Sequence, residues 1–177
     1  GWIKVITFWM NGIYLLLGSN IEDRLKSLNT AVDMLQASGA LVQNHSAIYE
    51  TAPWGKLDQN WFLNVGLQVK TSMEPHDLLR ACQQVEQKMG RERNLKWGPR
   101  IIDIDILYYE NQIIDSDSLI VPHPGIPDRK FTLILLNDLA PDALHPTLKL
   151  SQSELLKYCE DQSECLLTKY QLDIDLA

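Results

Sequence analysis

Between residues 97 and 109 the chain reads WGPRIIDIDILYY, and two aspartates interrupt what is otherwise an apolar run. The run is short, rich in β-branched residues and bounded by Gly98-Pro99, so it reads as a strand. Successive strand residues point to opposite faces. Ile102, Ile104 and Ile106 therefore share one face, and Asp103 and Asp105 share the other, with Cα atoms about 6.6 Å apart. Two like charges held together are unfavourable unless a cation sits between them. The chain is thereby constrained to a sheet with one face sealed by apolar packing and the other face open at these carboxylates. Few, hard oxygen ligands suit Mg²⁺, which completes its shell with water and substrate phosphates. The tripeptide alone is a weak signal. Asp173-Ile174-Asp175 repeats it near the end of the chain, where it reads as a solvated tail.

The neighbouring segments fit such a sheet. Ile13 to Leu17 is an apolar run without helical period and reads as a strand. It ends at Gly18-Ser19-Asn20, and Ser19-x-x-Glu22 has the form of a helix capping box. Leu25, Leu28, Val32 and Leu35 lie on one stripe, which predicts a helix ending before Gly39. Residues 41–49 read as a strand, 50–60 as a loop rich in turn residues, and 62–69 as another strand. Pro75 suits the first turn of a second helix, whose core stripe is Leu78, Cys82, Val85 and Met89 and which Gly90 should stop. The order strand, helix, strand, strand, helix, strand predicts an α+β, ferredoxin-like βαββαβ core with an antiparallel sheet and helices on one face. Ser151-x-x-Glu154 predicts a further helix, so helical additions follow the core. Residues 1–9 read as an extension ahead of Met10, and 10–177 as a single domain.

The charge pattern localises an anion site. Net charge is -7, which disfavours nucleic acid and anionic membrane as general partners. Residues 88–100 reverse that sign, with Lys88, Arg91, Arg93, Lys96 and Arg100 against Glu92 alone. Arginine is suited to bidentate phosphate contact. A helix end favours cations by itself, which accounts for Lys88 and Arg91 but not for Arg100 beside the aspartates. Carboxylates, a metal and arginines together make a polyphosphate site. Asn64 stands inside an apolar strand, where an amide costs free energy unless it is bonded. The cysteines, Cys82, Cys159 and Cys165, are odd in number and fit no zinc or disulfide spacing. No apolar run reaches membrane-spanning length. A cytoplasmic monomer is expected. His45 and His76 are isolated and read as surface or turn residues. Cys82 sits on a core stripe and reads as inert.

The motif W-G-P-R-x-x-D-I-D-I resembles the signature of the 6-hydroxymethyl-7,8-dihydropterin pyrophosphokinases of folate synthesis. Other landmarks of that family stand in order: L-G-S-N at 17–20, Y-E-T-x-P at 49–53, F-L-N at 62–64, G-R-x-R at 90–93, V-P-H-P at 121–124, R-x-F at 129–131 and A-P-D at 140–142. The resemblance covers roughly residues 12 to 147. It implies transfer of the β,γ-pyrophosphoryl group of ATP to the hydroxymethyl oxygen of a reduced pterin, with AMP leaving. It further implies that Asp103 and Asp105 hold two Mg²⁺ ions and that Arg91 and Arg100 neutralise transferred phosphate. Arg93, His123 and Arg129 are implied as further triphosphate contacts, with Gln83, Glu86, Trp97 and Ile106 at the nucleotide. The pterin pocket would comprise Thr51, Pro53, Trp54, Phe62, Asn64 and Phe131, with Trp97 capping it. Phe62 stands where tyrosine also occurs in the family. The 94–96 stretch is compact, and Ser118 and Ile120 replace the polar or basic residues expected there. Two other classes fit parts of the sequence. A nucleotidyltransferase explains the aspartates but not the aromatic-plus-amide pocket. A non-catalytic ferredoxin-like module explains the topology but not the clustered arginines.

Overall fold

The computed structural model describes residues 8–53, 60–92 and 101–176, with the backbone alone at 91 and 92. The core is a mixed α+β unit. Its strands are β1 (Ile13–Ser19), β2 (Leu41–His45), β3 (Tyr49–Thr51), β4 (Phe62–Lys70) and β5 (Asp103–Tyr109), and its helices are α1 (Arg24–Ala37) and α2 (Pro75–Glu92). Two short strands, β6 (Ile114–Asp115) and β7 (Ile120–Val121), form a separate hairpin. Then come α3 (Lys130–Leu139), α4 (Gln152–Tyr158) and β8 (Cys165–Leu167). The main sheet runs β5-β1-β4-β3-β8, with β2 also on β4. Every pairing in it is antiparallel. This is the ferredoxin-like strand order expected from the sequence.

Strand alternation divides the core in two. Ile13, Leu15 and Leu17 of β1, Leu63, Val65 and Leu67 of β4, and Ile104 and Ile106 of β5 pack under α1 and α2. The predicted stripe of Leu78, Cys82, Val85 and Met89 faces that core. Tyr14 and Leu16 of β1, with Tyr108 of β5, face the other way and meet Leu133, Leu135 and Leu136 of α3 and Leu155 of α4. The core helices therefore cover one face. The C-terminal additions cover part of the other and leave the rest open.

Several local expectations are corrected. The cap of α1 is Asp23, whose side chain accepts from the Lys26 amide at 3.1 Å. Ser19 cannot serve, because it is the buried last residue of β1 and its hydroxyl donates to the carbonyl of Ile101 at 2.7 Å. The expected strand 41–49 is broken at 46–48, where the Ser46 amide donates to the Gly66 carbonyl and Ser46 Oγ accepts from the Gly66 amide at 2.8 Å. Helix α2 continues past Gly90 to Glu92. Helix α3 and the β6–β7 hairpin had no counterpart in the sequence reading. By contrast Ser151 and Glu154 form the reciprocal capping box of α4. Phe8 and Trp9, set ahead of the expected domain, touch it. The Leu144 amide donates to Phe8, and Lys149 Nζ lies 5.7 Å from the Trp9 ring centre.

Candidate active site

The open part of the second sheet face is a cleft of about 460 Å³, within the range of small-molecule sites. It is lined by Leu16, Gly18, Thr51, Ala52, Phe62, Asn64, Asp103, Asp105, Arg129 and Phe131. The register explains the set. Gly18 of β1 stands opposite Asn64 on β4 and opposite Asp103 on β5. Leu16 stands opposite Asp105, and Thr51 opposite Phe62. Directly opposed residues point to one face. The amide half and the carboxylate half of the cleft are therefore neighbours across a single strand.

The amide half is dry and tightly held. Asn64 and Thr51 are 4% and 3% exposed, and Asn64 Nδ2 donates to Thr51 Oγ1. That bond holds the amide with Oδ1 over Gly18, where an added Cβ would lie 2.6 Å from it. Gly18 is thus required by close approach. Phe62 and Phe131 supply apolar wall from opposite sources, β4 and α3.

The carboxylate half is half-buried. Asp103 and Asp105 alternate with core isoleucines, as the sequence predicts. Strand β5 is a sheet edge, and Glu86 of α2 accepts from the Ile104 amide at 3.4 Å, between the two aspartates. Arg129, the residue just before α3, enters the cleft. Gly125 lets it do so: a Cβ there would come within 2.9 Å of Arg129 Nε and 3.2 Å of His123 Cε1. His123 Nδ1 accepts from the Gly125 amide at 3.0 Å, so its ring proton belongs on Nε2. Burial pushes the His123 pKa down; Asp105 opposes this and Arg129 adds to it. With Nδ1 so engaged, the ring presents Nε2–H as its donor. The first turn of α3 is tied in place from the tail, where Asp161 accepts from the Lys130 amide at 2.9 Å.

Among the described residues no cluster of three or more His, Cys, Asp or Glu side chains comes together. Two carboxylates on an open, half-buried face are a donor set that fits Mg²⁺, which takes one or two protein carboxylates and fills its other positions with water and phosphate.

Of the other expected site residues, Gln83 is exposed on α2. Ile106 is buried in the helix-covered core, so its side chain does not line the cleft. Pro53 is half-buried beside Ala52, which does line it. Trp54, Arg93, Trp97 and Arg100 lie outside the described residues, as does the side chain of Arg91. Leu16, Gly18, Ala52 and Gly125 were not expected as site residues. Gly18 and Gly125 carried a signal, since Gly18 lies within the L-G-S-N landmark and Gly125 directly follows V-P-H-P. Outside the cleft, Cys82 is buried in the core and its thiol pKa is pushed up to about 12, chiefly by burial, with Glu86 and Asp105 adding to it. His145 Nδ1 accepts from the amides of Thr147 and Leu148 and so holds a turn.

Fold and cleft together define a ferredoxin-like α+β enzyme whose sheet face pairs a carboxylate–arginine site with an aromatic–amide pocket. The chain belongs to the 7,8-dihydro-6-hydroxymethylpterin-pyrophosphokinase family, whose pattern matches residues 14–141. It is 45% identical over 134 residues to the 2-amino-4-hydroxy-6-hydroxymethyldihydropteridine pyrophosphokinase of Methylorubrum extorquens, covering 75% of this chain and 85% of that one. The Bacillus subtilis protein of the same name is 46% identical over 132 residues, covering 73% and 79%. The folic acid synthesis protein FOL1 of Dictyostelium discoideum is 39% identical over 145 residues, which is 82% of this chain but 22% of that longer one. Among solved structures, wild-type Plasmodium falciparum HPPK-DHPS with pterin and p-hydroxybenzoate matches with a TM-score of 0.67 at 20% identity, covering 85% of this chain and 43% of that one. An HPPK-DHPS in complex with substrates gives 0.66 at 18% identity, covering 84% and 43%. The fold is therefore shared.

The Asn64–Thr51 bond yields a prediction independent of ligand. Thr51→Val keeps the shape but removes the acceptor of a buried amide, which costs about 1–3 kcal/mol. Urea denaturation should show that loss with an unchanged slope; an unchanged midpoint would contradict the bond's role.

Proposed function

We propose that this chain transfers the β,γ-pyrophosphoryl group of ATP to the hydroxymethyl oxygen of 6-hydroxymethyl-7,8-dihydropterin, forming AMP and the pterin diphosphate for folate synthesis. The observation that carries this reading is the adjacency of the two half-sites across Gly18. The pattern match and the named bacterial relatives support it. A nucleotidyltransferase or a non-catalytic module has no need of both halves.

A pterin is flat, with an apolar ring face and a polar edge. Phe62 and Phe131 supply walls suited to such a ring. Asn64 presents Oδ1 to the polar edge, held in orientation by Thr51. Ala52 and Pro53 carry the wall onward, with Trp54 and Trp97 assigned to its rim. In this placement the hydroxymethyl group points toward Asp103 and Asp105. Its oxygen forms a bond to the β-phosphorus of ATP as the bond from that phosphorus to the α,β-bridging oxygen breaks, and AMP takes the electron pair. The hydroxyl proton passes to solvent or to product.

Asp103 and Asp105 would hold Mg²⁺, two ions in this reading. Bound there, the metal supplies charge neutralisation on the triphosphate and at the attacking and leaving oxygens. Arg129 brings a fixed positive charge, and His123 a directional donor. Glu86 braces the strand between the carboxylates through Ile104. Arg91, Arg93 and Arg100 join this anion site, with Gln83 and the Ile106 position on its nucleotide side. Positioning and charge neutralisation then supply most of the rate, as for phosphoryl transfer generally. This reading takes the acting species to be a monomer. No described helix is long and apolar enough to cross a membrane, and the free cysteines favour a reducing cytoplasm.

Asp103→Ala and Asp105→Ala should each lower AMP release by at least about a hundredfold, since metal charge stabilisation is worth several kcal/mol of barrier. Asp173→Ala and Asp175→Ala, with side chains exposed in the tail, should leave it unchanged. Near-normal AMP release from either cleft variant would contradict the assignment.

Asn64→Ala should weaken pterin binding by about 1–3 kcal/mol through an unpaired polar edge and leave ATP binding nearly unaffected. Calorimetry with each ligand separates the two. Equal losses would argue against the pocket.

A further inference from the structure

The turn between β1 and α1 does more than connect them. Ser19 donates to the carbonyl of Ile101, two residues before Asp103. Asn20 Nδ2 donates to the carbonyl of Asn60 at 3.3 Å, and Arg24 Nη1 to the carbonyl of Trp61 at 2.9 Å. The same Arg24 nitrogen lies 2.7 Å from Glu50 Oε2. Two consecutive carbonyls ahead of Phe62 are thus held by one turn, and Arg24 is tied one residue before Thr51 and one residue before Phe62. Those two residues face each other across β3 and β4 and both line the cleft.

The placement of Arg24 is locally unfavourable, which is informative. It is the first residue of α1, where the helix's own first turn has no acidic residue and the cap carboxylate is that of Asp23. A cation there opposes the helix dipole. Glu22, just ahead of it, has φ 53°, a conformation that costs a non-glycine residue free energy. Local rules broken at one spot are expected where function demands it. Arg24 and Glu50 are both partly exposed, with side chains 23% and 32% accessible, so the pair adds little to global stability. Asn20, Glu22, Arg24, Glu50, Asn60 and Trp61 also line a shallow surface cavity.

We propose that Arg24 is a positioning residue for the pterin half of the site. Its single nitrogen bridges Glu50 and the Trp61 carbonyl, and so sets the separation and orientation of Thr51 and Phe62. Asn20 reinforces the same point through Asn60. Arg24 acts through these residues and touches no reacting atom. The kinetic part of this inference rests on the pyrophosphokinase reading; the structural part does not.

The test uses Arg24→Ala, Arg24→Lys and Glu50→Gln in the full chain. Misplacing a wall by a fraction of an ångström should raise the KM for the reduced hydroxymethylpterin about tenfold in Arg24→Ala, with the KM for ATP changed less than about twofold. Arg24→Lys, which keeps one nitrogen able to donate to both partners, should recover most of the loss. Glu50→Gln should show the same split in milder form. Hydrogen exchange on the ligand-free protein should quicken at 50–53 and 60–64 and remain unchanged along the β1–β5 ladder. Unchanged exchange at 50–53 and 60–64, exchange that quickens uniformly, an equal rise in both KM values, or no rescue by lysine would each overturn the proposal. Absence of AMP release from the wild-type chain would count against the activity reading instead, and the exchange data would still decide the clamp.

Discussion

Strand β1 pairs on both sides, and its register is the constraint on which the site depends. Gly18 stands opposite Asn64 on one flank and Asp103 on the other. A slip of one residue on either side would turn one half-site into the helix-covered core. That slip is opposed by the apolar alternation of all three strands, whose other faces are sealed by α1 and α2. The same burial that stabilises the fold therefore sets which two chemistries meet. The glycine at the crossing leaves room for the Asn64 side chain, which a methyl group would displace.

A second layer of constraint comes from parts of the chain beyond the core. Helix α3 covers the lower part of the open face and brings Arg129 and Phe131 to the cleft from its start. The tail holds that helix through Asp161 and Lys130. It then adds β8 to the outer side of β3, pairing Leu166 with Glu50. Leu172 is buried in the α1–α2 core, and the Asp173 amide donates to Asn29 at 2.8 Å. In Asp173-Ile174-Asp175 the isoleucine packs inward and both carboxylates face solvent. The same tripeptide thus has opposite meaning in its two locations. One is a paired strand on a sealed sheet, and the other is an exposed extension.

The sequence made legible what depends on periodicity or on a conspicuous cost. Aspartates among isoleucines and an amide inside an apolar strand both announced themselves, and both line the cleft. The α1 and α2 stripes were readable because burial enforces them. Other features depend on distant partners. Ser19-x-x-Glu22 has the local form of a cap, yet Ser19 is bound to Ile101, which is far away in sequence. The break at 46–48 follows from a bond to Gly66, and no local pattern encodes it. Helix α3 is apolar over most of its length, so it lacks the polar face that marks a surface helix. Gly125 has a role only because Arg129 folds back over it.

In the proposed reaction one cleft joins ATP chemistry to a pterin acceptor. Phosphorus NMR of a reaction containing the chain, ATP, Mg²⁺ and 6-hydroxymethyl-7,8-dihydropterin tests it most directly. Each ATP consumed should yield one AMP and one pterin-linked diphosphate, with neither ADP nor free pyrophosphate as the primary product. Formation of ADP, or release of pyrophosphate with nucleotide attached to the acceptor, would contradict it.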